Sequence, residues 1–241
     1  MNESRKSEAE FDSFADNYDA SLQRGISISG ESKDYFATKR VEWTSRCLAR
    51  EGYEPSSIVD YGCGTGTGTG HLLTSFPKAT ILGVDVSENS LNVARESHPS
   101  ERVAFEHLGR FHYENQYDLV FCNGVFHHIH PDERADALMR ILRCLKPGGY
   151  FAFWENNPWN PGTKIVMSRI PFDRDAVTIS IPEARMVLRG AGFEVLRTDT
   201  RFYFPRNLSF LRVTEGVLGR LPLGAQYMVL GKKPMTEVGC Y

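Results

Sequence analysis

An open, mostly parallel α/β sheet wound in both directions is predicted by three features of this 241-residue sequence. Short apolar runs of strand length alternate with stretches of helical periodicity between residues 55 and 155, the pattern of successive βαβ units. One of these runs passes straight into a glycine-rich turn, Gly62-Cys63-Gly64-Thr65-Gly66. No Pro, Gly or Ser linker divides the chain, and 41% hydrophobic, 12% aromatic and 24% charged residues give it an ordinary globular composition. A single domain over 1–241 is expected, with a helical cap at 1–52, a strand and helix core at 55–155, and further segments with the last strands at 156–241.

Phe11, Phe14, Tyr18 and Leu22 recur at helical spacing and Gly25 follows as a stop, which predicts an amphipathic helix over 7–23. A second helix starts at Ser32, carries Phe36, Trp43 and Cys47 on one stripe and ends before Gly52. Beyond Pro55, SSIVDYG, ATILGVDVS, RVAFEH, YDLVFCNG and GYFAFWEN each read as a buried parallel strand. Helices at 66–76, 87–97 and 132–146 lie between them, the last stopped by Lys146-Pro147-Gly148-Gly149. Ile181-Pro182-Glu183 opens a short helix that ends near Gly190, ahead of strand candidates FEVLRTDT and AQYMVLGKK. Residues 201–224 between these two strands are aromatic and Arg-rich.

Several function classes fall away on composition. The longest charge-free stretch, Tyr61 to Pro77, is mostly Gly and Thr, too polar to span about 30 Å of hydrocarbon, so no transmembrane helix is expected. The start, MNESRKSEAEFD, lacks the apolar centre of a secretory signal, which makes the cytoplasm the expected location. Five cysteines, an odd number without CxxC spacing, argue against a disulfide framework or a zinc knuckle and for reduced thiols. A net charge of −2 argues against a general nucleic-acid binder. The charge is uneven: residues 1–163 carry 16 basic and 23 acidic groups, residues 164–241 carry 12 and 7. Most of the later basic groups are Arg, suited to carboxylate or phosphate contacts or simply to a solvated face.

In an open parallel sheet, ligands bind beyond the carboxyl ends of the strands where strand order reverses. The run Ile58 to Gly66, a strand entering a glycine turn, marks where such a site begins, because missing Cβ atoms let a ligand approach the backbone. The dinucleotide spacing GxGxxG fails in both registers, with Thr67 five after Gly62 and Thr69 five after Gly64, and no Walker loop occurs. Asp60, two residues ahead of the first glycine, would repel a pyrophosphate but attract an ammonium or sulfonium. S-adenosylmethionine carries both. Asp85, at the end of the next strand, can accept both hydroxyls of a ribose.

IVDYGCGTG, Asp85 in GVDVS, YDLVFCNGVFHHI and LMRILRCLKPGGYFAF, in that order, resemble the class I S-adenosylmethionine-dependent methyltransferases, in particular the branch acting on small molecules. The resemblance is strong over 55–155 and weak elsewhere. It implies a Rossmann-like doubly wound sheet with an antiparallel last strand and a helical N-terminal cap, and S-adenosylmethionine as cofactor. It implies that Asp60 or the backbone near it meets the methionine part, that Asp85 meets the ribose and that Asn123 lies beside the methionine end, with Gly62, Cys63, Gly64 and Val86 as further cofactor contacts. Tyr18, in an early Tyr-Asp pair, and Arg40 are further cofactor contacts it suggests. Many relatives place an Asp after the third strand for the adenine amino group; here Glu106, His107, Leu108, Gly109 and Arg110 stand there, and a backbone contact near Leu108 is expected instead.

Methyl transfer is an in-line displacement that needs a base only when the nucleophile must lose a proton. His127 follows the fourth strand and is the expected base, against a packing or capping role. His128 is expected at the substrate. His128 and His130 could suggest a metal, but no third ligand stands at a readable spacing, so none is expected. Glu155, ending the fifth strand, could orient His127, act as base itself or hold a cationic substrate. Asn156-Asn157-Pro158-Trp159 is similar to the [DNS]PP[YFW] loop of DNA amine methyltransferases but lacks the second Pro and follows the fifth strand. A nucleic-acid substrate is therefore disfavoured, and Asn157 and Trp159 are expected at the substrate pocket. Arg201 and Arg206, with Arg212 and Arg220, are expected in a lid that selects an anionic acceptor. The expected function is methyl transfer to O, N or C of a small metabolite, aromatic or anionic in character. An RNA- or protein-modifying methyltransferase and a non-catalytic cofactor-binding module are the alternatives.

Overall fold

The computed structural model describes residues 18–173, 176–219 and 221–235, with the backbone alone for Tyr18 and Asp19. Residues 7–17 of the first expected helix, the Tyr18 side chain, Arg220 and Cys240 lie outside the described residues. Seven strands form one sheet: β1 (Ser57–Tyr61), β2 (Thr80–Asp85), β3 (Val103–His107), β4 (Tyr117–Asn123), β5 (Leu145–Asn156), β6 (Glu194–Arg201) and β7 (Gln226–Lys232). Their order is β3-β2-β1-β4-β5-β7-β6. The first five strands pair in parallel, and β7 runs antiparallel to both β5 and β6. The order reverses between β1 and β4, so the Asp60 and Asn123 ends of those strands border the crevice such sheets use for ligands.

The eight α-helices of the described chain are α1 (Tyr18–Ile26), α2 (Lys33–Arg50), α3 (Thr67–Ser75), α4 (Glu88–Ser97), α5 (Arg134–Cys144), α6 (Pro161–Ser168), α7 (Ile181–Gly190) and α8 (Glu215–Leu218). Because both sheet faces are covered, the strands read as continuous apolar runs. Val59, Val120, Phe151 and Phe153 point to one face, under Leu138 and Ile141 of α5 and Leu188 of α7. Ile58, Leu119, Phe121 and Trp154 point to the other, under Val41 and Leu48 of α2 and Leu72 of α3. Ser32 and Ser87 cap α2 and α4, accepting from Tyr35 N and Ser90 N, and Ser180 with Glu183 forms a capping box on α7. At the amino-terminal edge of the sheet Asp118 accepts from Ser56, Ser57 and Lys146. Burial alone would raise its pKa, but those partners outweigh it and hold the carboxyl well below the usual range.

Two boundaries differ from those expected. Helix α1 runs through Gly25 to Ile26; a Cβ on Gly25 would lie 2.3 Å from Ile170 Cγ1, so this glycine permits close packing and stops nothing. The expected helix over 132–146 is a 3-10 turn at Pro131–Glu133 followed by α5, which ends at Cys144. Leu145 already pairs with Tyr117, so the expected stop, Lys146-Pro147-Gly148-Gly149, belongs to the start of β5. Among the described residues no helix is long and apolar enough to cross a membrane.

Candidate active site

Two cavities open beyond the carboxyl ends of β1 and β4. A smaller cleft of about 90 Å³ is lined by Asp60, Gly62, Cys63, Gly64 and Thr67, and a larger cavity of about 370 Å³ by His127, His128, Asp173 and many apolar side chains. Leu22, Lys33, Arg40 and Asn123 line both.

In the cleft, the turn depends on its glycines. Gly62 has φ +73°, and a Cβ there would collide with Val125 Cγ2 at 2.2 Å; Gly64 has φ +52° and open space where a Cβ would project. Asp60 is buried and its Oδ2 accepts from Thr69 Oγ1 at 2.7 Å. Burial, reinforced by Asp85, pushes its pKa up to about 6 against the opposing effects of Thr69 and Arg40. Asn123 Oδ1 is buried without a hydrogen-bond partner, a state that costs about 1–3 kcal/mol and that a ligand N–H would relieve. Two cations stand nearby: Arg40 Nη1 donates to Gln226 Oε1 at 2.9 Å and Lys33 Nζ to Thr67 Oγ1 at 3.2 Å. An orphaned acceptor, a buried acid, two cations and an open glycine turn fit the ammonium, sulfonium and carboxylate of S-adenosylmethionine.

Around this cleft, Asp85 Oδ2 accepts from Gly64 N at 2.8 Å and Oδ1 from Ser87 N at 2.9 Å, and the backbone of Val86 also donates to the carboxylate. Burial raises its pKa against those bonds. The Val86 carbonyl accepts from His107 Nε2 at 2.8 Å, and Leu108 opens a 3-10 turn at Leu108–Arg110. Asp85, Val86 and Leu108 stand outside the linings of the two cavities. Cys63 is buried, and burial raises its thiol pKa well above the ordinary value, so it packs as a neutral thiol.

Beside Asn123, the larger cavity holds a group the sequence showed only in part. His127 is 3% exposed; its Nδ1 donates to Glu155 Oε2 at 2.6 Å and its Nε2 lies 3.5 Å from Asp173 Oδ1. Glu155 Oε1 also accepts from Phe126 N at 2.8 Å. Burial alone would lower the His127 pKa, but the two carboxylates outweigh it and raise it to about 10. Glu155 and Asp173 move down in return, again against burial. His128 Nε2 is 3.3 Å from the same Asp173 oxygen. Its pKa is lowered by burial and by the neighbouring His127 charge. The two carboxylates thus favour the imidazolium form of His127, while burial and that neighbouring charge favour the uncharged form of His128. One ring nitrogen from each histidine and an Asp173 oxygen form a group of metal-type donors lying within 4.8 Å of one another. Asp173 is the third donor that linear spacing near the histidines did not supply, and the imidazolium already sets a positive charge between Glu155 and Asp173.

The other expected substrate residues sit elsewhere. Asn157 is fully buried, donates to the carbonyls of Pro222 and Gly224 and accepts from Trp159 N, so it clamps the chain ahead of β7 and does not reach the cavity. Trp159 is half exposed and lines neither cavity. Arg201 stacks on Trp43, 3.4 Å from the ring centroid, and Arg206 is exposed outside the lining. Arg212 does line the cavity, but it pairs with Glu31 at 2.8 Å and lies over the Tyr35 ring. The residues the sequence did not single out are Asp173, Lys33, Asn156 and Gln226, all in the lining. Each is an ordinary polar residue in its local stretch, and only tertiary packing brings it to the site.

Residues 59–151 match the family described as "Methyltransferase domain". Over 120 residues the chain is 38% identical to a trans-aconitate 2-methyltransferase of Methylobacterium nodulans, covering 48% of this chain and 45% of that protein. Over 107 residues it is 36% identical to a malonyl-[acyl-carrier protein] O-methyltransferase of Halalkalibacterium halodurans, covering 42% and 39%. The matched stretch is thus less than half the length of either relative. A solved S-adenosylmethionine-dependent methyltransferase from Thermotoga maritima shares the fold, with a TM-score of 0.63 over 94% of this chain and 99% of its own at 20% identity. Strand order, glycine turn and sequence match agree: residues 59–151 match a methyltransferase domain, and the sheet around them has the fold of class I S-adenosylmethionine-dependent methyltransferases.

Proposed function

We propose that the chain transfers the methyl group of S-adenosylmethionine to O, N or C of a small molecule held in the larger cavity. The observation that carries this reading is Asn123, whose buried, unpartnered oxygen stands where the cofactor cleft and the larger cavity meet. When bound, the cofactor supplies an electrophilic methyl group on a sulfonium. Asp60 and Asn123 face its cationic end, Arg40 and Lys33 take its carboxylate, Asp85 accepts from the ribose, and the backbone at Leu108 lies toward the adenine. The acceptor rests against His128, which being uncharged can take a proton as the new bond forms. His127, held by Glu155 and Asp173, fixes the His128 ring, whose centroid is 4.1 Å away. This moves the base from His127, the residue expected from position along the chain, to its neighbour. Phe36, Phe202 and Phe204 exclude water from the cavity. Cap, core and acceptor segments over 1–241 work as one unit in the cytoplasm.

An anionic acceptor finds little support in these side chains: Arg201 and Arg206 do not line the cavity, and Arg212 is neutralised by Glu31. The test combines calorimetry with S-adenosylmethionine and methyl-label transfer to a panel of phenols, amines and carboxylic acids. His128→Ala is expected to lower single-turnover rate by about a hundredfold or more with cofactor affinity intact. A wild-type chain that does not bind the cofactor overturns the proposal, and a His128→Ala variant as fast as wild type returns the base role to another group.

A further inference from the structure

We infer that the rim of the larger cavity docks on an anionic lipid surface, from which an amphiphilic acceptor enters the cavity; the second half of this inference rests on the proposed methyl transfer. Fourteen large apolar side chains are exposed among the described residues, and six of them fall between 208 and 223: Leu208, Phe210, Val213, Val217, Leu221 and Leu223. Phe210, Val213 and Val217 are 70%, 86% and 83% exposed, and their spacing of three and four places them on one side of the 3-10 stretch Arg206–Thr214 and of α8. Singly exposed apolar residues are ordinary, whereas a contiguous group marks an interaction surface.

Neighbouring segments extend the group. Ile28 lies beside Gly30, whose missing Cβ would touch Arg206 Cβ at 2.9 Å. Exposed Trp159 directly precedes Asn160, whose side chain donates to Leu223 O at 2.6 Å, and exposed Ile165 follows in α6. The group is continuous with the cavity, because Ile28, Phe204 and Pro205 line it. The outer surface therefore leads inward along apolar side chains to His128.

Charge decides the occupant. Residues 156–173 and 203–223 contain two acids, Asp173 and Glu215. Asp173 is buried on the histidines and Glu215 accepts from Tyr203 N, while Lys164, Arg169 and Arg206 are exposed. Exposed apolar side chains in segments that also expose cations match the interface of an anionic bilayer. A second copy fits less well, since an isologous contact would bring the same cations face to face.

The test is co-sedimentation of the full chain with vesicles of phosphatidylcholine alone and of phosphatidylcholine with phosphatidylglycerol. Binding is expected to the anionic vesicles and to weaken with salt. Phe210→Ser with Val217→Ser should lower the partition coefficient about tenfold or more, and Arg206→Glu about fivefold, with melting temperature and cofactor affinity unchanged. Equal binding of wild type and the double variant, or no sedimentation with either vesicle, overturns the inference. A dimer in light scattering that the double variant dissociates assigns the surface to a second copy and overturns it equally. Cofactor binding is measured on the same samples, so its absence strikes the proposed methyl transfer and leaves the vesicle result to stand alone.

Discussion

The two cavities that meet at Asn123 are built in opposite ways. The smaller cleft is the more polar of the two, and much of it comes from one short stretch, Asp60 to Gly68, whose backbone shape is set by glycines at positive φ. The larger cavity is mostly apolar and is assembled from scattered segments, with Leu22, Phe36, His128, Val166, Asp173 and Phe204 far apart in the chain. Recognising a fixed cofactor demands backbone geometry, which leaves a motif. Holding an acceptor demands volume, apolar walls and a few placed polar groups, which leave none.

Given that contrast, damage to the polar group of the larger cavity should be felt by the fold before it is felt by the cofactor. Glu155 is 1% exposed and balances the buried His127 charge. Its removal leaves a buried cation with one fewer partner, a change worth about 3–5 kcal/mol. Glu155→Ala is expected to lose stability of that order in urea unfolding, while cofactor affinity in the folded protein changes little. The sign of the pH dependence follows from His127, whose pKa rises from 6.5 to about 10 on folding. Its contribution is full below 6.5 and is lost as pH rises toward about 10. Wild type should therefore approach the variant's stability in alkaline solution. A loss under about 1 kcal/mol at neutral pH would show that the pair is not holding the fold.

The same contrast explains what the sequence made legible. The parallel strands, their helices and the switch point were readable because each is a local pattern: apolar runs such as ILGVD, caps at Ser32 and Ser87, and glycines forced by the turn. The positions of Asp60 and Asp85 at the ends of β1 and β2, beside the glycine turn, were readable because both stand at fixed offsets from it. The meeting of the His127 and Glu155 segments at the strand ends was readable, but the electrostatic division between His127 and His128 was not. That division depends on Asp173, which reaches both rings only through the packing of the segment after α6. Asn157 and Trp159 misled because a motif-like string lies at a strand end, whereas Asn157 folds inward to bond the chain at Pro222 and Gly224. Arg201 misled because the strand β6 carries it against Trp43.

On the cofactor side, the expected effect of a single substitution is smaller and lies in binding. Asp85→Ala removes acceptors from the ribose hydroxyls and should weaken S-adenosylmethionine by about 1.5–3 kcal/mol in calorimetry. The carboxylate also accepts from Gly64 N and Ser87 N, so Asp85→Asn, which keeps one carbonyl oxygen, separates loosening of the turn from loss of the ribose contact. A larger loss for Ala than for Asn with equal melting temperatures assigns the energy to the ligand. Equal affinity for all three proteins would remove Asp85 from the cofactor site and leave the cleft defined by the glycine turn and Asn123.

The smallest expected effect tests why a buried acid stands at the mouth of the cleft at all. Without ligand the Asp60 pKa is pushed up to about 6, chiefly by burial, so part of the population is protonated in mildly acidic solution. A bound ammonium or sulfonium favours the carboxylate and lowers that pKa. The complex then holds fewer protons than the free protein, binding releases a proton, and affinity must rise with pH until the free carboxylate is fully ionised. Affinity for S-adenosylmethionine is expected to be level above about pH 7 and to fall below about pH 6, by no more than about tenfold for each pH unit because one proton is involved. Asp60→Asn should abolish the slope, and S-adenosylhomocysteine, which keeps the ammonium but lacks the sulfonium, should show a shallower one. Calorimetry in buffers of different ionisation enthalpy counts the released proton directly. A wild-type affinity independent of pH through this range would mean that the cationic end lies away from Asp60, and that its contact with Thr69 is only part of the packing between β1 and α3.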